Sequence, residues 1–215
     1  MLTLWTTNVG SHAWSMNDSE SDIDHFDVYI TSSKKILNGS IIHSNSHHSG
    51  NSNPGEVDLV SHEIGKVINE LIKGNINYLI GTLSPIVVSQ HEKYLDVLKK
   101  IVVDNCQSTI CSNSIKGLAI HNYNKYIKCN SKLTDKHLTK KCNLINRTLL
   151  FGINILKGNG FVFTPIKDQT PDDVVIMLNN FNTALDSSIL PNSINEQPFR
   201  NYLLQLRLRE LNDKL

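Results

Sequence analysis

Residues 9–30 of the chain read VGSHAWSMNDSESDIDHFDVYI, and the fold prediction rests on this stretch. The pair Gly10-Ser11 ends a run rich in β-branched and aromatic residues, Leu2 to Val9, which predicts a strand. After nine intervening residues comes Ser21-Asp22-Ile23-Asp24. Phe26 to Thr31 then alternates apolar and polar residues, as a half-buried strand does. The stretch therefore predicts a strand, a tight turn, an acidic pair and a second strand.

The acidic pair predicts a site for a divalent cation. Asp22 and Asp24 are two residues apart, so in extended chain their side chains project from the same face. Two carboxylates this close repel each other unless a cation lies between them. Magnesium is usually held by one or two carboxylates together with substrate phosphates. Asp58 lies in a second alternating segment, Glu56 to Val60, and a third carboxylate would permit two ions about 4 Å apart.

The Gly-Ser pair predicts the other half of such a site. Glycine lets the backbone approach a phosphate closely, and a short helix or turn over Ala13 to Glu20 would direct backbone N–H groups at the anion. The Ser11 hydroxyl adds a donor. Taken alone, an Asp-x-Asp pair is usually a solvated strand edge and a Gly-Ser pair is weaker still. Their combination with a later aspartate on a strand predicts a nucleoside triphosphate site that faces bound metal.

Composition narrows the class of protein. The 215 residues are 40% hydrophobic and 19% charged, which is typical of a soluble globular chain. The net charge of +1 excludes a strong overall attraction to nucleic acid or to an anionic membrane. No apolar run approaches the roughly 20 residues of a membrane helix, and no signal peptide is evident. The four cysteines form no CxxC pair, so we expect free thiols, no zinc site and a cytoplasmic location.

The rest of the chain predicts mainly helices. Residues 64–72 carry one apolar stripe at helical spacing, and further helices are predicted over Ser114 to Lys128, Asp135 to Leu156, Pro171 to Leu185 and Phe199 to Leu211. The apolar stripe of the second of these consists of Leu138, Cys142, Ile145, Leu149, Ile153 and Leu156. Residues 43–55 are rich in Ser, Asn, His and Gly and predict a mobile loop. We therefore predict an α+β fold, with a small mixed sheet and helices followed by a C-terminal helical bundle. The predicted domains are a catalytic core over residues 1–62 and a helical domain over residues 63–215 that completes the cleft.

Three segments resemble one protein family. Residues 9–30 resemble the signature of DNA polymerase β-like nucleotidyltransferases, and GSHAW resembles one branch, the predicted RNA-repair nucleotidyltransferases. Residues 56–87, EVDLVSHEIGKVINELIKGNINYLIGTLSPIV, resemble the strand of the third aspartate and the helix after it. Residues 136–156, KHLTKKCNLINRTLLFGINIL, resemble a helix of mixed basic and apolar residues. The resemblance extends over roughly residues 2–156.

The resemblance implies a reaction and a set of roles. The chain would transfer a nucleoside monophosphate from an NTP to a hydroxyl acceptor, such as an RNA end, and release pyrophosphate. Asp22 and Asp24 would bind two magnesium ions, and Asp58 would bind the ion that activates the hydroxyl and would act as its general base. The residues that would bind the nucleotide are Gly10, Ser11, Ser21, Lys141 and Arg147.

Several alternatives stay open at this point. Lys140 and Arg147 share a helix face that either neutralises phosphates or is simply solvated. Tyr123 and Tyr126 alternate with lysines and either stack on nucleic acid or pack as an ordinary amphipathic helix. His43, His47 and His48 are too loosely spaced to indicate a metal site. A polymerase β-like core would also suit nucleotidylation of a small molecule or a protein, or a non-catalytic nucleotide-binding protein.

Overall fold

The computed structural model describes residues 2–19, 21–39, 57–128 and 133–212, and the backbone of residues 47–49. Its sheet has five strands in the spatial order β3-β4-β2-β1-β5. Their bounds are β1 Leu2–Asn8, β2 Ile23–Ile30, β3 His47–Ser49, β4 Val57–Glu63 and β5 Val87–Gln90. Only β2 and β4 run parallel, and the other neighbours are antiparallel. The sheet is therefore mixed, as predicted.

Eight α-helices lie within the described residues. Their bounds are α1 Ser33–Leu37, α2 Ile64–Ile72, α3 Ile76–Leu83, α4 Tyr94–Asn105, α5 Ile110–Asn122, α6 Asp135–Leu156, α7 Pro171–Asp186 and α8 Gln197–Leu211. A short 3-10 helix, His12–Trp14, follows β1, and a π-helix, Tyr123–Lys128, follows α5. This architecture confirms the α+β fold class.

The helices form where apolar periodicity and capping residues agree. Helix α2 buries Ile64, Val67, Ile68 and Leu71 on one face, and the Glu63 side chain caps it by accepting a hydrogen bond from the Gly65 N–H. Helix α7 begins with a capping box between Thr170 and Asp173, with Pro171 in its first turn. The long helix α6 has the predicted bounds and buries most of its predicted stripe, namely Cys142, Ile145, Leu149, Ile153 and Leu156.

One continuous apolar core joins the sheet to the helices. It includes Leu4 and Trp5 from β1, Leu71 from α2, Phe151 from α6 and Leu206 from α8, all nearly inaccessible to solvent. The predicted boundary after residue 62 stays a prediction. Strand β5 lies beyond that boundary in the sequence and hydrogen-bonds to β1.

Two local predictions need correction, and one strand was not predicted. The predicted loop over residues 43–55 contains the short strand β3, which pairs with β4 and so satisfies the backbone groups along one edge of that strand. The predicted helix over residues 114–128 is instead α5, which starts at Ile110, followed by the π-helix. Strand β5 was not predicted, because all four of its residues are exposed and show no alternation. The rest of the predicted loop, including His43, lies outside the described residues, as does Cys129.

Candidate active site

Two of the predicted carboxylates lie side by side on neighbouring parallel strands. Asp24 on β2 is the register partner of Asp58 on β4, near the start of both strands. Phe26 and Val60 follow two residues later on the same face, because side chains alternate along a strand. Asp22 lies just before β2 and is exposed. The parallel pairing thus brings together residues that are 34 positions apart in the sequence.

The electrostatics of this group indicate a site built for a cation. The pKa of the Asp24 carboxyl is raised, first by burial and then by the negative charges of Asp58 and Asp22. Arg147 and His12 act in the opposite direction on the same pKa. Among the residues that the structure describes, none of the three aspartate side chains forms an ion pair or accepts a hydrogen bond. Clustered carboxylates without hydrogen-bond or ion-pair partners are unfavourable for folding, which makes this group a candidate functional site.

Gly10 lies directly against the Asp24 carboxylate. Its φ of +58° belongs to the left-handed region, and a Cβ built on it would lie 1.7 Å from Asp24 Oδ2. The N–H of the preceding residue, Val9, donates to the Asp24 backbone oxygen at 2.8 Å and fixes the approach of the two segments. Only glycine meets both requirements here. Ser11 follows immediately and starts the 3-10 helix.

Helix α6 provides the cations that face the carboxylates. The Arg147 guanidinium lies 5.3 Å from the ring centre of Trp14, and burial lowers the pKa of Arg147 to about 10. Nearby Asp24 opposes that shift. Lys140 precedes Arg147 by about two turns of α6. Its ammonium group lies 3.6 Å from an Asp18 carboxylate oxygen. The Lys141 ammonium lies 4.5 Å from the ring centre of Tyr126.

Trp14 fixes the glycine turn to α6. It is almost fully buried and contacts Phe151 and Phe163 with ring centres 5.6 and 4.7 Å away. The Arg147 guanidinium also lies over its ring. The residue therefore links the segment that carries Gly10 to the helix that carries the cations. Sequence reasoning did not assign a role to Trp14, although its place in GSHAW, beside the glycine turn, was a usable signal.

The site has two connected compartments. The outer compartment, about 360 Å³, is lined by Ser11, Ser21, Asp22, Lys140 and Lys141, among others. The inner compartment, about 460 Å³, is lined by Asp58, Phe26, His62, Tyr78, Leu118 and Leu144, among others. Gly10, Asp24, Leu144 and Arg147 line both. Every predicted site residue therefore lines at least one compartment, and their catalytic roles stay predictions.

Comparison with protein families decides the class of this chain. Residues 1–178 match the model of RlaP, described as the RNA repair pathway DNA polymerase beta family. The chain belongs to this family. The predicted relationship to polymerase β-like nucleotidyltransferases and to the RNA-repair branch is thereby confirmed. Helix α8 and the end of α7 lie beyond the matched residues.

Other comparisons add little to the family assignment. A comparison of this RNA-repair-family chain with curated proteins finds no match. A crystal structure of a nucleotidyltransferase-like protein from Exiguobacterium sibiricum 255-15 is similar with a TM-score of 0.32 and 13% identity, over 95% of this chain and 73% of that one. None of the helices in the described ranges is long and apolar enough to cross a membrane. The cytoplasmic location stays a prediction.

The donor set fits a divalent cation that substrate phosphates help to hold. Within the described part of this family member, no three His, Cys, Asp or Glu side chains converge on one point. Two carboxylates with phosphate oxygens are nevertheless a sufficient set for a small hard cation. Asp58 and Asp22 both raise the pKa of Asp24, so each lies close enough to Asp24 to repel its carboxylate. A divalent cation would offset that repulsion.

Ser21 is held in place by the turn before β2. Its hydroxyl donates to Asp18 Oδ1 at 2.8 Å and accepts from the Asp18 N–H at 2.9 Å. Asp18 also pairs with Lys140, so this turn connects the acidic motif to α6. The sequence pattern alone did not indicate Asp18. In this member of the RNA repair family Ser21, at the end of the turn, lines the outer compartment.

Proposed function

We propose that this protein transfers a nucleoside monophosphate from an NTP to a hydroxyl group of an RNA end, in a magnesium-dependent reaction that releases pyrophosphate. The observation that carries the proposal is the pairing of Asp24 with Asp58, with the Gly10 backbone against one side and Arg147 beyond. Such a group of carboxylates and cations suits phosphoryl transfer, where positioning and electrostatic stabilisation supply most of the catalysis.

Asp22, Asp24 and Asp58 are the residues that would hold magnesium, two carboxylates to an ion together with phosphate oxygens of the substrate. Magnesium, when bound, neutralises phosphate charge and lowers the pKa of a coordinated hydroxyl. The acceptor oxygen attacks the α-phosphorus as the bond between that phosphorus and the α–β bridging oxygen breaks, and pyrophosphate leaves. The hydroxyl proton goes to Asp58, which acts as the general base.

The outer compartment is suited to the triphosphate. Backbone N–H groups at Gly10 and Ser11 and the Ser21 hydroxyl would provide hydrogen bonds to phosphate oxygens. Lys140, Lys141 and Arg147 would neutralise the charge that develops on the leaving pyrophosphate. The sheet therefore supplies the carboxylates and α6 supplies the cations. In this proposal the sheet would form the catalytic core and the helices would complete the cleft.

A local positive surface beside the outer compartment favours a polyanionic acceptor. The chain has a net charge of only +1, so attraction to RNA must come from such a surface. The Lys125 and Lys141 ammonium groups lie 4.9 and 4.5 Å from the ring centre of Tyr126. Lys128 is exposed at the end of the same π-helix. Aromatic rings interleaved with cations are a common means of binding single strands.

The test is nucleotide incorporation by the purified chain. Each labelled NTP is supplied in turn with magnesium and a mixed RNA pool. We expect label on RNA with at least one NTP, and none with Asp24→Asn. Lys141→Ala should raise the KM for the NTP about tenfold, whereas Lys157→Ala, at the far end of the same helix, should leave it unchanged. Label on protein or on a small molecule, or no label at all, would contradict the RNA acceptor.

A further inference from the structure

A second cavity lies between α4 and α8, and we call it the α4–α8 groove. Its volume is about 470 Å³, and among the described residues it shares no lining residue with either compartment of the candidate active site. Its buried lining residues are Tyr94, Tyr202 and Leu206. The Tyr202 hydroxyl donates to the Tyr94 carbonyl at 2.9 Å and is therefore already satisfied. The exposed polar residues of the lining are Glu92, Lys93, Asn201, Gln205 and Arg209. An apolar floor inside a polar rim is suited to an apolar side chain from a protein partner.

The apolar surface continues outside the groove, because α8 carries apolar residues on two sides. Its core-facing residues are buried, namely Phe199, Tyr202 and Leu206. Leu204 and Leu208 are 54% and 43% exposed, and each directly precedes a residue that lines the groove. Val97, in the opposite wall on α4, is 49% exposed. A surface helix ordinarily confines its apolar residues to one stripe. Apolar residues gathered around a groove with a polar rim indicate a surface for protein contact.

The connection between α7 and α8 presents an apolar side chain to the solvent. Ile189 is 99% exposed. The backbone on both sides of it is anchored, since Ser188 Oγ donates to the Leu156 carbonyl at 3.0 Å and the Thr109 N–H donates to the Pro191 carbonyl at 2.9 Å. Single exposed apolar residues are common. Ile189 differs from most of them because an anchored loop holds nearly its whole side chain in water.

Ile189 and the groove lie at the same end of the α4–α8 pair. The start of α4 faces the end of α8, because Arg209 Nη1 lies 3.5 Å from Tyr94 Oη. The opposite end of the groove is formed by Ile101 and Pro198. The Ile189 loop reaches that end, since it is anchored at Thr109, shortly after α4, and leads into α8. Two copies related by a two-fold axis can therefore exchange this contact twice.

The charges beside the two surfaces are complementary. Lys93 at the rim of the groove is exposed and forms no ion pair with any described residue. Asp186, three residues before Ile189, is likewise exposed and has no such pair. Glu92 and Arg209, by contrast, already pair with each other at 3.4 Å. Opposite charges without partners favour the approach of the Ile189 loop to the groove.

We propose that two copies of this chain associate, with Ile189 of each copy bound in the α4–α8 groove of the other. The inference goes beyond the proposed function, because the groove is separate from both compartments of the candidate active site. Ile189 and α8 also lie beyond residues 1–178, which match the family model. The occupant of the groove is thus a second copy of the chain itself.

The first experiment measures the mass of the full chain in solution. Sedimentation equilibrium is recorded without nucleotide or metal from about 1 to 100 µM, a range that detects micromolar association. We expect a dimer, and Ile189→Asp should weaken its association at least tenfold. Ile176→Asp is the matched control, since Ile176 is 57% exposed on α7 and should not affect the dimer. A monomeric wild type over the whole range, or equal weakening by both variants, would overturn the proposal.

The second experiment tests whether Ile189 and the groove are the two halves of one contact. Val97→Asp, in the groove wall, should also weaken association at least tenfold. An equal mixture of Ile189→Asp and Val97→Asp chains retains one intact contact, from the Ile189 of one variant to the groove of the other. We therefore expect the mixture to associate more tightly than either variant alone.

Thermal melting checks that both variants are folded. Asn201→Trp, which fills the groove from an exposed position, replaces Val97→Asp if that variant unfolds. No gain in association on mixing the variants would overturn the pairing of Ile189 with the groove. A dimer that persists in both variants would likewise overturn the proposal, because its interface would then lie elsewhere.

Discussion

The acidic residues at the two ends of the β2–β4 pair differ in their hydrogen bonding. At the start of the strands, Asp24 and Asp58 face each other without a hydrogen bond to either side chain among the described residues. At the other end, the Glu63 carboxylate accepts hydrogen bonds from Arg207 and from the Gly65 N–H. Arg207 also donates to the Thr31 backbone oxygen at 2.7 Å. We call the first the strained end, because its carboxylates repel each other, and the second the satisfied end, because its carboxylate is hydrogen-bonded.

The difference distinguishes acidic residues that serve the proposed function from those that stabilise the fold. Carboxylates that repel one another reduce the free energy of unfolding, and proteins retain them where a ligand supplies the missing charge. The Glu63–Arg207 pair is largely buried and fully used in hydrogen bonds, so its loss would leave a charge without a partner. Arg207 lies on α8, beyond the residues that match the family. We therefore expect α8 to stabilise the sheet without taking part in the chemistry.

The largest expected effect comes from neutralising the strained end. Asp24→Asn should lower kcat for nucleotide transfer about 1,000-fold, because it removes a charge that the reaction needs. The same variant should melt at a higher temperature than the wild type, because a carboxylate whose pKa is raised by folding is destabilising at neutral pH. The measurements are steady-state transfer rates and thermal melting.

Asp27→Asn is the matched control for Asp24→Asn. Asp27 lies on the same strand but is buried and accepts a hydrogen bond from Thr6 Oγ1 at 2.8 Å. We expect Asp27→Asn to cost about 1 kcal/mol of stability and to leave transfer nearly unchanged. A destabilised Asp24→Asn, or an inactive and well-folded Asp27→Asn, would break the separation between function and stability on this strand.

The next effect comes from crowding the strained end without changing its charge. Gly10→Ala would drive a methyl group into the Asp24 carboxylate, and we expect kcat/KM to fall at least about 100-fold. Gly158→Ala is its matched control, since Gly158 has a φ of +75° but no heavy atom within 4 Å of the built Cβ. That variant should cost about 1 kcal/mol of stability and no activity. Equal losses of activity in both would show that backbone strain alone is responsible.

The satisfied end is tested through Arg207. Arg207→Met should lower the free energy of unfolding by about 3 kcal/mol, because it leaves Glu63 buried without its cation. Transfer measured well below the melting temperature should stay close to wild type. Urea unfolding gives the stability, and Arg200→Met, in an exposed pair with Glu196 on the same helix, serves as the control with a small effect. A large loss of nucleotide transfer in Arg207→Met would show that the satisfied end also affects the chemistry at the strained end, which contradicts the prediction.

Much of the fold could be predicted because local signals agreed with the final structure. Helix α6 has its predicted bounds, since its apolar stripe continues unbroken from Leu138 to Leu156. The strand after the acidic motif was predicted from alternation over Phe26 to Thr31, and the observed β2 begins earlier, at Ile23. Strand β5 could not be predicted, because it is held at the sheet by backbone hydrogen bonds to β1 and its side chains are exposed.

Contacts between segments far apart in the sequence were the other feature of the fold that could not be predicted. The Glu63–Arg207 pair joins residues 144 positions apart, and no local pattern marks either partner. For Arg147, helix periodicity left two interpretations about equal, a phosphate ligand or a solvated side chain. The structure shows it near Asp24 and over the Trp14 ring, which depends on how the glycine turn packs against α6.

The smallest expected effect concerns a carboxylate that is satisfied but near the surface. Glu70 accepts hydrogen bonds from Lys73 Nζ and Asn75 Nδ2, both at 2.8 Å, and its pKa is lowered, chiefly by the hydrogen bond from Lys73. A lowered folded-state pKa gives stability that is present above the ordinary value of 4.5 and is lost as pH falls through the folded-state pKa. The sign is thus opposite to that of Asp24.

Lys73→Met should therefore cost less than about 1 kcal/mol at neutral pH, since the lysine is largely exposed. The difference from wild type should vanish in acid, where Glu70 is protonated in both proteins. Urea unfolding at neutral pH and at a series of falling pH values measures the change, and a carboxyl NMR titration locates the folded-state pKa of Glu70 itself. Lys157→Met, an exposed lysine beside the end of α6, should show no such pH dependence. If the cost of Lys73→Met persisted in acid, it would come from lost side-chain packing, and the contrast between Glu70 and Asp24 would then have to rest on their measured pKa values alone.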